Sequence, residues 1–518
     1  MPAVPFSDAQ PPLILALDLG SSSLRAVLFD AQARLIEGHI ASQPHAFRTA
    51  TDGAAEDDAN AVFEGVVHMI DGILNQIGRR SGEVGGVALD TYVTNVLGVG
   101  DDGLPVTPVY TYADTRAAAE AAQLRRQFSE AEVLDRTGCL LRASYLPARF
   151  AWLRRARPDE LRRARRWIGL GAYIFDRLLG QAVLSVSAAA WTGLLNRRSL
   201  EWDTRWLDAL GLAADQLPRV VDAGQAVRGL KPEWAARWPP LRDVPWFPAL
   251  GDGAAANVGS GCVSPVRLAL SLGTTGAMRV TLPGTPETIP AGLWCYRVNR
   301  ELALLGGATN EGGNVYAWLQ QTLQLDMGDE FDRALAALEP DGHGLTALPF
   351  LAGERSPGYA GNARAALVGL SRSTRPIDIA RAMLEALAYR LALIAGRIVG
   401  AIPVGAIPRD SPPRDSPPRD SPSPEIIASG GGLLGHPALM QIFADVLNRP
   451  LTASAETQAT ARGAALIALN ALGVIPALDA LPAALGETFF PDPARRAIYA
   501  RAIERQVALY DQLVQPED

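Results

Sequence analysis

A short motif occurs twice in this sequence and limits the choice of fold: two apolar segments flank a turn of glycine and hydroxyl residues. The first copy spans 13–29, with Asp18-Leu19-Gly20-Ser21-Ser22-Ser23 at its turn, and the second spans 267–280, with Gly273-Thr274-Thr275-Gly276. Each copy predicts two strands joined by a tight polar turn. Two such motifs about 250 residues apart predict two similarly built halves.

The length of the chain supports this division. A chain of 518 residues is too long for one hydrophobic core, and two domains of about 250 residues each are expected. Small and turn-forming residues cluster at 258–266, so we place the boundary there, with domains at 1–262 and 263–518. A hydrophobic content of 48% is typical of a soluble globular protein with large buried cores.

Apolar patterning in the first half predicts a sheet with helices against it. Apolar runs at 84–89, 95–99 and 108–112 predict further strands of the sheet that the first motif begins. Apolar residues at helical spacing predict a helix over 60–77, and residues 116–180 are expected to be rich in helices. The arginine-rich run RRARPDELRRARRW in that region predicts a solvated helix face.

Residues 408–425 form a proline-rich repeat, PRDSPPRDSPPRDSPSPE. Proline at this density prevents a helix or a packed core, so we expect an extended surface insertion within the second half. The more specific interpretation is that this repeat is a polyproline-II ligand for a partner domain. Repeat slippage tolerated in an exposed loop is the simpler one.

The charged residues exclude several classes of function. A net charge of −7 and a pI near 5.5 argue against a partner that is a nucleic acid or an anionic membrane. Lys231 is the only lysine of the sequence. A P-loop nucleotide site and a protein-kinase site each need a lysine in a context that Lys231 lacks. Both classes are therefore excluded.

Cysteine usage and the absence of targeting segments indicate the compartment. Cys139, Cys262 and Cys295 lack the spacing of a disulfide framework or a metal site, which indicates buried thiols in a reducing environment. The first residues do not resemble a signal peptide, and no apolar run reaches the length of about 18 residues that a membrane span needs. We expect a cytoplasmic protein without a membrane partner. The oligomeric state stays open, with a homodimer as one arrangement.

The two repeated turns have the donors that phosphate groups require. Residues 20–23 would present backbone N–H groups and hydroxyls to one point, and the carboxylate of Asp18 at the strand end could hold Mg²⁺ through water. Residues 273–276 offer the same donors. An ordinary hairpin turn is the alternative for either loop alone, whereas two loops in similar settings favour phosphate binding.

Two further motifs add candidates. Asp252 follows the apolar segment PWFPAL and precedes small residues, so it is expected at a helix N-terminus, where its ionised form is favoured. An ionised carboxylate can act as a general base, although a plain N-cap is the commoner use of such a residue. The glycines at 430–432 follow a predicted strand at 426–427 and would let the backbone lie flat against adenine, although a glycine-rich loop alone is weak evidence.

Six motifs in this order resemble the FGGY carbohydrate kinases: DLGSSSLR, YADTRA, GDGAAANVGSG, SLGTTGAMRV, GERSP and ASGGGLLGHPALMQIFADVLNRPL. The resemblance extends from about Leu13 to Leu513, the proline-rich insertion excepted. It implies an α/β fold of two actin-like (ribonuclease-H-like) ATPase domains, with ATP and a sugar in the cleft between them. It also implies ATP and Mg²⁺ as cofactors and a small-molecule sugar or sugar acid as substrate.

The same resemblance implies a role for each motif. Asp252 would be the catalytic base that accepts the proton of a sugar hydroxyl, and Asp18 would bind the metal. Residues 18–25 and 273–276 would hold the ATP phosphates, and 430–432 would lie by the adenosine. The nucleotide-binding candidates are therefore Gly20, Ser21, Ser22, Ser23, Arg25, Gly273, Thr274, Thr275, Asn314, Gly430, Gly431 and Gly432.

The sugar-binding candidates, with Asp252, are Thr94, Asn95, Asp114 and Arg116. Within the family, RTGCLLRASYLPARFAWLRR, SVSAAAWTGLLN, GDGAAANVGSG and GLWCYR followed by GGATNEGGNVYAWL resemble gluconate kinases, so we expect conversion of D-gluconate to 6-phosphogluconate. Arg116 could pair with the sugar carboxylate. Family members often have Trp where Tyr112 stands and His where Thr94 stands.

Because both of those positions face the sugar in the family, xylulose, ribulose and glycerol remain alternative substrates. An alternative of another class is an actin- or Hsp70-like ATPase whose nucleotide cycle drives an interaction. A catalytically silent sugar-binding relative is the third alternative, against which the presence of both Asp18 and Asp252 argues.

Overall fold

The computed structural model describes residues 3–403, 406 and 424–514. In the first half the strands are Leu13–Leu19 (β1), Ser23–Phe29 (β2), Leu35–Pro44 (β3), Arg48–Thr49 (β4), Ala55–Asp57 (β5), Val84–Thr91 (β6), Leu97–Val99 (β7), Val109–Tyr110 (β8), Arg166–Ile168 (β9), Val183–Ser185 (β10), Arg219–Val221 (β11) and Trp246–Gly251 (β12). The α-helices there are Ala59–Ile77 (α1), Ala118–Gln127 (α2), Glu130–Thr137 (α3), Leu146–Ala156 (α4), Pro158–Arg163 (α5), Leu170–Leu179 (α6), Val186–Ala190 (α7), Thr204–Leu210 (α8), Pro232–Arg237 (α9) and Asp252–Gly259 (α10).

In the second half the strands are Arg267–Leu272 (β13), Gly276–Pro283 (β14), Trp294–Arg297 (β15), Leu302–Thr309 (β16), Thr346–Leu348 (β17), Ala366–Val368 (β18), Glu425–Ser429 (β19), Leu451–Ser454 (β20) and Leu485–Phe489 (β21). The helices are Gly313–Leu323 (α11), Asp329–Ala336 (α12), Pro376–Ala401 (α13), Gly431–Leu434 (α14), Pro437–Leu447 (α15), Ala459–Ala471 (α16) and Arg496–Leu513 (α17). None of these helices is long and apolar enough to cross a membrane.

The two large sheets have the same arrangement of strands, which confirms the prediction of two similarly built halves. In the first sheet β12, β6 and β1 are parallel neighbours, and β1 pairs antiparallel with β2, which pairs with β3. In the second, β20, β19 and β13 are parallel neighbours, and β13 pairs antiparallel with β14, which pairs with β16. Strands β15 and β21 extend the second sheet at its two edges.

Local sequence explains the elements that lead to the site. All residues of β1 are buried, as expected for a strand inside a sheet that helices cover. The predicted helix at 60–77 is confirmed as α1, which begins after Asp58, whose carboxylate accepts hydrogen bonds from two backbone N–H groups of the first turn. The helix-rich region is confirmed as α2 to α6. Its exposed arginines form ion pairs on the surface, such as Arg162 with Asp159.

Two of the predicted strands do not join the first sheet. Strand β7 pairs with β9 and β8 pairs with β5, so only β6 of the three predicted strands lies beside β1. An apolar run indicates that a segment is buried, but the partner strand depends on tertiary packing that the run does not encode.

The predicted insertion lies mostly outside the described residues. Residues 408–423 are not described, and Pro424 is buried. Glu425 begins β19, where its carboxylate pairs with Arg267 at 3.1 Å. The insertion therefore ends before the predicted residue 425.

Helix α16 joins the two halves. It follows β20 of the second sheet, but its buried residues belong to the same hydrophobic core as β1 and β6 of the first. It also crosses α10, and small residues at the crossing let the two backbones touch: a Cβ on Gly259 would lie 1.7 Å from the carbonyl oxygen of Ala459. The boundary placed at 262–263 separates the two sheets, while the first core takes in this later helix.

Candidate active site

Three aspartates lie at the carboxyl ends of three neighbouring parallel strands. Asp18 is in β1, Asp90 is in β6, and Asp252 follows β12 as the first residue of α10. Within the sheet Asp90 is the direct partner of Asp18 on one side and of Leu250 on the other. The carboxyl ends of parallel strands open at one edge of a sheet, and this edge therefore collects the three carboxyl groups. Sequence reasoning identified Asp18 and Asp252 but missed Asp90.

Asp18 and Asp90 form a close buried pair. Their carboxyl groups lie within hydrogen-bonding reach of each other, and no donor among the described residues hydrogen-bonds either oxygen of Asp90. Arg25, the cross-strand partner of Asp18, lies 3.6 Å from its carboxylate. Burial raises the pKa of Asp18 despite this cation. Burial and the charge of Asp18 together raise the pKa of Asp90 well above its ordinary value.

Asp252 occupies the predicted helix N-terminus and stays partly open at the surface. The backbone N–H of Gly253 donates to its Oδ1 at 2.7 Å, and Arg279 of β14 adds a positive charge nearby. Burial outweighs both and raises the pKa of Asp252 to about 6. The N–H at the helix N-terminus therefore favours the ionised form, as predicted, but burial decides the net direction of the pKa shift. At pH 7 and above the group is nonetheless mainly a carboxylate.

Two polar side chains beside Asp252 were not singled out from the sequence. Arg279 donates to Ser271 Oγ at 3.0 Å, while its Nε has no partner among the described residues. Trp191 contacts the end of β12, since a Cβ on Gly251 would lie 2.7 Å from the indole Nε1. That indole N–H also lacks an acceptor in the described part of the chain. Arg279 follows the second turn as Arg25 follows the first, and this parallel was the available signal.

The first turn is closed by its own backbone and leaves its serines partly or fully exposed. The N–H of Gly20 donates to the carbonyl oxygen of Ser23 at 3.1 Å, and a Cβ on Gly20 would lie 2.8 Å from that oxygen, so the turn requires glycine. Ser21 is half-buried and Ser22 is exposed. His45 stabilises the turn, because its Nδ1 donates to the carbonyl oxygen of Gly20 at 2.8 Å.

The second turn is held by the start of α11. Residues 273–275 are exposed. The N–H of Gly313 donates to the carbonyl oxygen of Gly273 at 2.7 Å, and that of Asn314 donates to Thr274 at 3.3 Å. The Asn314 side chain accepts from the N–H of Gly312 at 2.7 Å and donates to a nearby carbonyl, so it fastens the loop.

The glycine-rich segment lies directly on the second turn. Gly430 has φ +95°, and a Cβ there would lie 2.4 Å from the carbonyl oxygen of Leu272. A Cβ on Gly432 would lie 3.3 Å from the Cα of Gly313. Gly431 has open space around it. The structure therefore brings the second turn, α11 and the glycines at 430–432 together on one side of the molecule.

Thr94 and Asn95 are both buried, and their side chains have partners within the protein. Thr94 has φ +57°, uncommon for a β-branched residue, and its hydroxyl donates to the carbonyl oxygen of Trp191 at 3.2 Å. Asn95 accepts from the N–H of Leu170 at 2.6 Å. Both residues line a mainly apolar cavity of about 30 Å³ on the side of the first half. They shape the turn after β6, which carries Asp90.

Asp114 and Arg116 belong to a buried ion network. The Arg116 guanidinium pairs with Asp114 at 2.5 Å and with Glu56 at 2.6 Å, and Arg149 pairs with Asp114 at 2.9 Å. Burial acts to raise the pKa of Asp114, but the hydrogen bonds from Arg116 and the charge of Arg149 outweigh it and lower that pKa. Arg116 therefore already neutralises two carboxylates and is not a free cation.

Arg355, in the GERSP motif, is a different case. It is half-buried, and its side chain forms no ion pair or hydrogen bond with a described residue. Its charge acts on Arg279 of the second half and on Tyr145 of the first. Tyr145 contacts Tyr296 through their hydroxyl groups, and Tyr296 stacks on Trp191 with ring centroids 3.7 Å apart. Within the part of the chain that the structure describes, Arg355 is therefore a cation without a partner, and it lies near the aromatic side chains beside Asp252.

Comparisons with known proteins agree with this geometry. Models of the FGGY family of carbohydrate kinases match residues 13–259 (N-terminal domain) and 268–472 (C-terminal domain). A gluconokinase of Bacillus subtilis is 25% identical over 492 residues, with 93% of this chain and 91% of the relative covered.

Two solved structures from Lactobacillus acidophilus are each 26% identical, covering 97% of this chain and 98% of the other. A ligand-bound xylulose kinase gives a TM-score of 0.88 and a gluconate kinase gives 0.86. These matches confirm the expected two-domain kinase fold. They rank a gluconate and a xylulose kinase almost equally.

Proposed function

Since the chain belongs to the FGGY family of carbohydrate kinases, we propose that it uses ATP to phosphorylate D-gluconate at the terminal primary hydroxyl, giving 6-phosphogluconate. One observation supports this proposal above the others. Asp252, with a pKa of about 6, lies at the sheet edge of the first half beside Arg279 of the second, and close enough to Asp18 for the two charges to interact. This is the position that a base needs if a sugar hydroxyl is to meet a phosphoryl group.

The proposed reaction is an in-line transfer. Asp252 accepts the proton of the hydroxyl, whose oxygen bonds to the γ-phosphorus while the bond from that phosphorus to the β,γ-bridging oxygen breaks and ADP leaves. Arg279 and the donors of residues 273–275 would stabilise the charge that develops on the transferred group. Little covalent chemistry is asked of the protein, so positioning and charge neutralisation supply most of the rate.

The carboxylates fit a magnesium ion. Mg²⁺ is usually held by one or two carboxylates together with water and substrate phosphates. Asp18 is a buried carboxylate next to the first turn, and the carboxyl group of Asp90 lies within hydrogen-bonding reach of it. When bound there, Mg²⁺ would neutralise charge on the phosphate tail of ATP, while the protein holds that tail at residues 20–23 and 273–275.

The choice of gluconate needs a cation for its carboxylate. We assign this role to Arg355, because its guanidinium has no ion-pair or hydrogen-bond partner among the described residues, whereas that of Arg116 is shared between Asp114 and Glu56. Asp114 and Arg116 would then hold the sugar-binding residues in place without contacting the sugar themselves. The resemblance to gluconokinases over more than nine-tenths of the chain supports the same substrate.

A coupled assay of ADP release across D-gluconate, D-xylulose, D-ribulose, pentitols and glycerol tests the proposal. We expect release to depend on added sugar and kcat/KM to be highest for D-gluconate. Release without any sugar would favour the ATPase alternative. A higher kcat/KM for D-xylulose or glycerol would overturn gluconate and leave the kinase assignment standing.

A further inference from the structure

Both ring nitrogens of His45 face oxygen atoms. The residue directly follows β3, and its side chain is 10% exposed. Its Nδ1 lies 2.8 Å from the carbonyl oxygen of Gly20, and its Nε2 lies 2.9 Å from Oδ2 of Asp57. A carbonyl oxygen can only accept a hydrogen bond, and a carboxylate repels the lone pair of an unprotonated ring nitrogen. Both contacts are favourable together only when both nitrogens carry a proton, so these neighbours favour the charged imidazolium.

Asp57 also needs this positive charge. It is buried in β5, and within the described residues His45 is the only cation paired with it. The hydroxyl of Tyr92 donates to Asp57 Oδ2 at 2.8 Å, and the backbone N–H of Asp58 donates to Oδ1 at 2.7 Å, but both donors are neutral. Buried carboxylates are generally paired with a cation. The contact at Nε2 is an ion pair rather than a well-aligned hydrogen bond. Asp57 and the Gly20 carbonyl together raise the pKa of His45, although burial opposes them.

The same residue holds the first turn at two carbonyl groups. Besides the contact of its ring with Gly20, the backbone N–H of His45 donates to the carbonyl oxygen of Ser22 at 3.0 Å. A planar trans peptide carries its C=O and its N–H on opposite sides, so fixing the Gly20 carbonyl also fixes the direction of the Ser21 N–H. In the described part of the chain that N–H has no acceptor. It is therefore available to a phosphate oxygen.

We propose that His45 is a positioning residue for the nucleotide: as an imidazolium held by Asp57, it fixes the first turn in the shape that receives the ATP phosphates. The inference rests on the proposed role of this turn toward ATP and adds a residue that does not need to touch the nucleotide. Without the ring, the turn keeps the bond to Ser22 and its closure between Gly20 and Ser23, but the Gly20 peptide loses its side-chain partner. The loss should therefore appear in nucleotide binding and not in sugar binding.

Nucleotide binding without sugar tests the proposal. Calorimetry on the full-length protein measures the affinity for AMP-PNP with Mg²⁺, well below the melting temperature because Asp57 loses its cation in the variant. For His45→Ala we expect binding to weaken about tenfold or more, the value of a charge-assisted hydrogen bond. The affinity for D-gluconate alone should stay nearly unchanged.

His39→Ala is the matched control for this measurement. His39 also lies in β3, and its Nδ1 also contacts a backbone carbonyl, that of Glu37 at 2.7 Å, but it has no bond to the first turn. This variant should bind AMP-PNP as the wild type does. Equal weakening in His39→Ala and His45→Ala would overturn the proposal.

The charge of His45 is measured separately by NMR. The chain has five histidines, so in protein labelled with ¹³C at histidine the ring signal of His45 is assigned by its absence from the spectrum of His45→Ala. We expect this signal to titrate above the ordinary histidine pKa of about 6.5. Asp57→Asn should lower this pKa toward the ordinary value, because the ring loses its carboxylate. A His45 pKa below the ordinary value in the wild type would overturn the proposal.

The remaining outcomes separate this inference from the proposed function. Wild-type affinity for AMP-PNP in folded His45→Ala would overturn the role of His45 and leave the kinase assignment standing. Failure of D-gluconate to bind, with AMP-PNP weakened as expected, would overturn the substrate and support His45. A wild type that does not bind AMP-PNP would overturn both. If His45→Ala does not fold, His45→Leu replaces it, and unchanged AMP-PNP affinity in that variant overturns the proposal equally.

Discussion

Gly463 of α16 lies against Ala255 of α10, so closely that a Cβ on Gly463 would stand 1.9 Å from the Ala255 carbonyl oxygen. The neighbouring atom is backbone, so it cannot rotate away as a side chain could. This contact joins a helix of the second half to the helix that begins with Asp252. The crossing therefore couples the core of the protein to the position of Asp252, the proposed base.

Gly463→Ala should destabilise the protein by about 1–3 kcal/mol, the usual cost of overpacking a core. Chemical unfolding with urea measures the change. Gly396→Ala is the matched control, because Gly396 is an exposed glycine within α13. A Cβ added there would have no atom within 4 Å. That control should be stabilised by about 0.5–1 kcal/mol, as alanine is the better helix former. Equal effects of the two substitutions would contradict the close crossing.

Asp252→Asn should lower sugar-dependent turnover by about a hundredfold or more, since an amide of nearly the same shape cannot accept the proton. Binding of Mg·ATP and of D-gluconate, measured by calorimetry, should change little. Steady-state kinetics give the turnover. Wild-type kcat in this variant would remove Asp252 from its proposed role, and lost binding would show that it positions substrate instead.

The activity should fall in acid as Asp252 gains a proton. Because burial raises the pKa of this group to about 6, kcat/KM should decline below about pH 6 with a slope near one, and Asp252→Asn should lack that titration.

The same raised pKa makes the folded protein less stable, not more, as the pH increases. A carboxyl whose pKa is raised on folding stabilises the protein only at low pH, and this contribution is lost as the pH rises through about 6. At pH 8 Asp252→Asn should therefore melt at or above the wild-type temperature, and a lower value would contradict the burial of its charge.

Arg355→Leu should raise KM for D-gluconate by about 10–100-fold, the value of a charge-assisted hydrogen bond, and leave KM for D-xylulose nearly unchanged. Kinetics with both sugars give the split. Arg116→Leu is the comparison, and it should lower the melting temperature because it leaves Glu56 without its cation and Asp114 with Arg149 alone. A selective loss of gluconate in Arg116→Leu, with none in Arg355→Leu, would return the carboxylate-binding role to Arg116.

Much of this architecture was accessible from the sequence because the relevant signals are local. The turns at 20–23 and 273–275 and the helix N-terminus at Asp252 depend on a few adjacent residues, and the repetition of the first motif predicted the two equivalent sheets.

The misses involve residues far apart in sequence. Asp90 occupies a strand that reads as ordinary until β6 is seen to lie between β1 and β12. The partners of β7 and β8, and the packing of α16 on the first core, depend in the same way on tertiary contacts. The direction of the pKa shift of Asp252 was missed because burial, which no local pattern reveals, outweighs the helix terminus.

Phosphorus NMR of the products formed from ATP and D-gluconate tests the central claim most directly. The wild type should yield one phosphate monoester on carbon 6 for each ADP, with little inorganic phosphate, and Asp252→Asn should form the same product about a hundredfold or more slowly. Inorganic phosphate as the main product, a phosphate on another carbon, or an unchanged rate in the variant would contradict a gluconate kinase that uses Asp252 as its base.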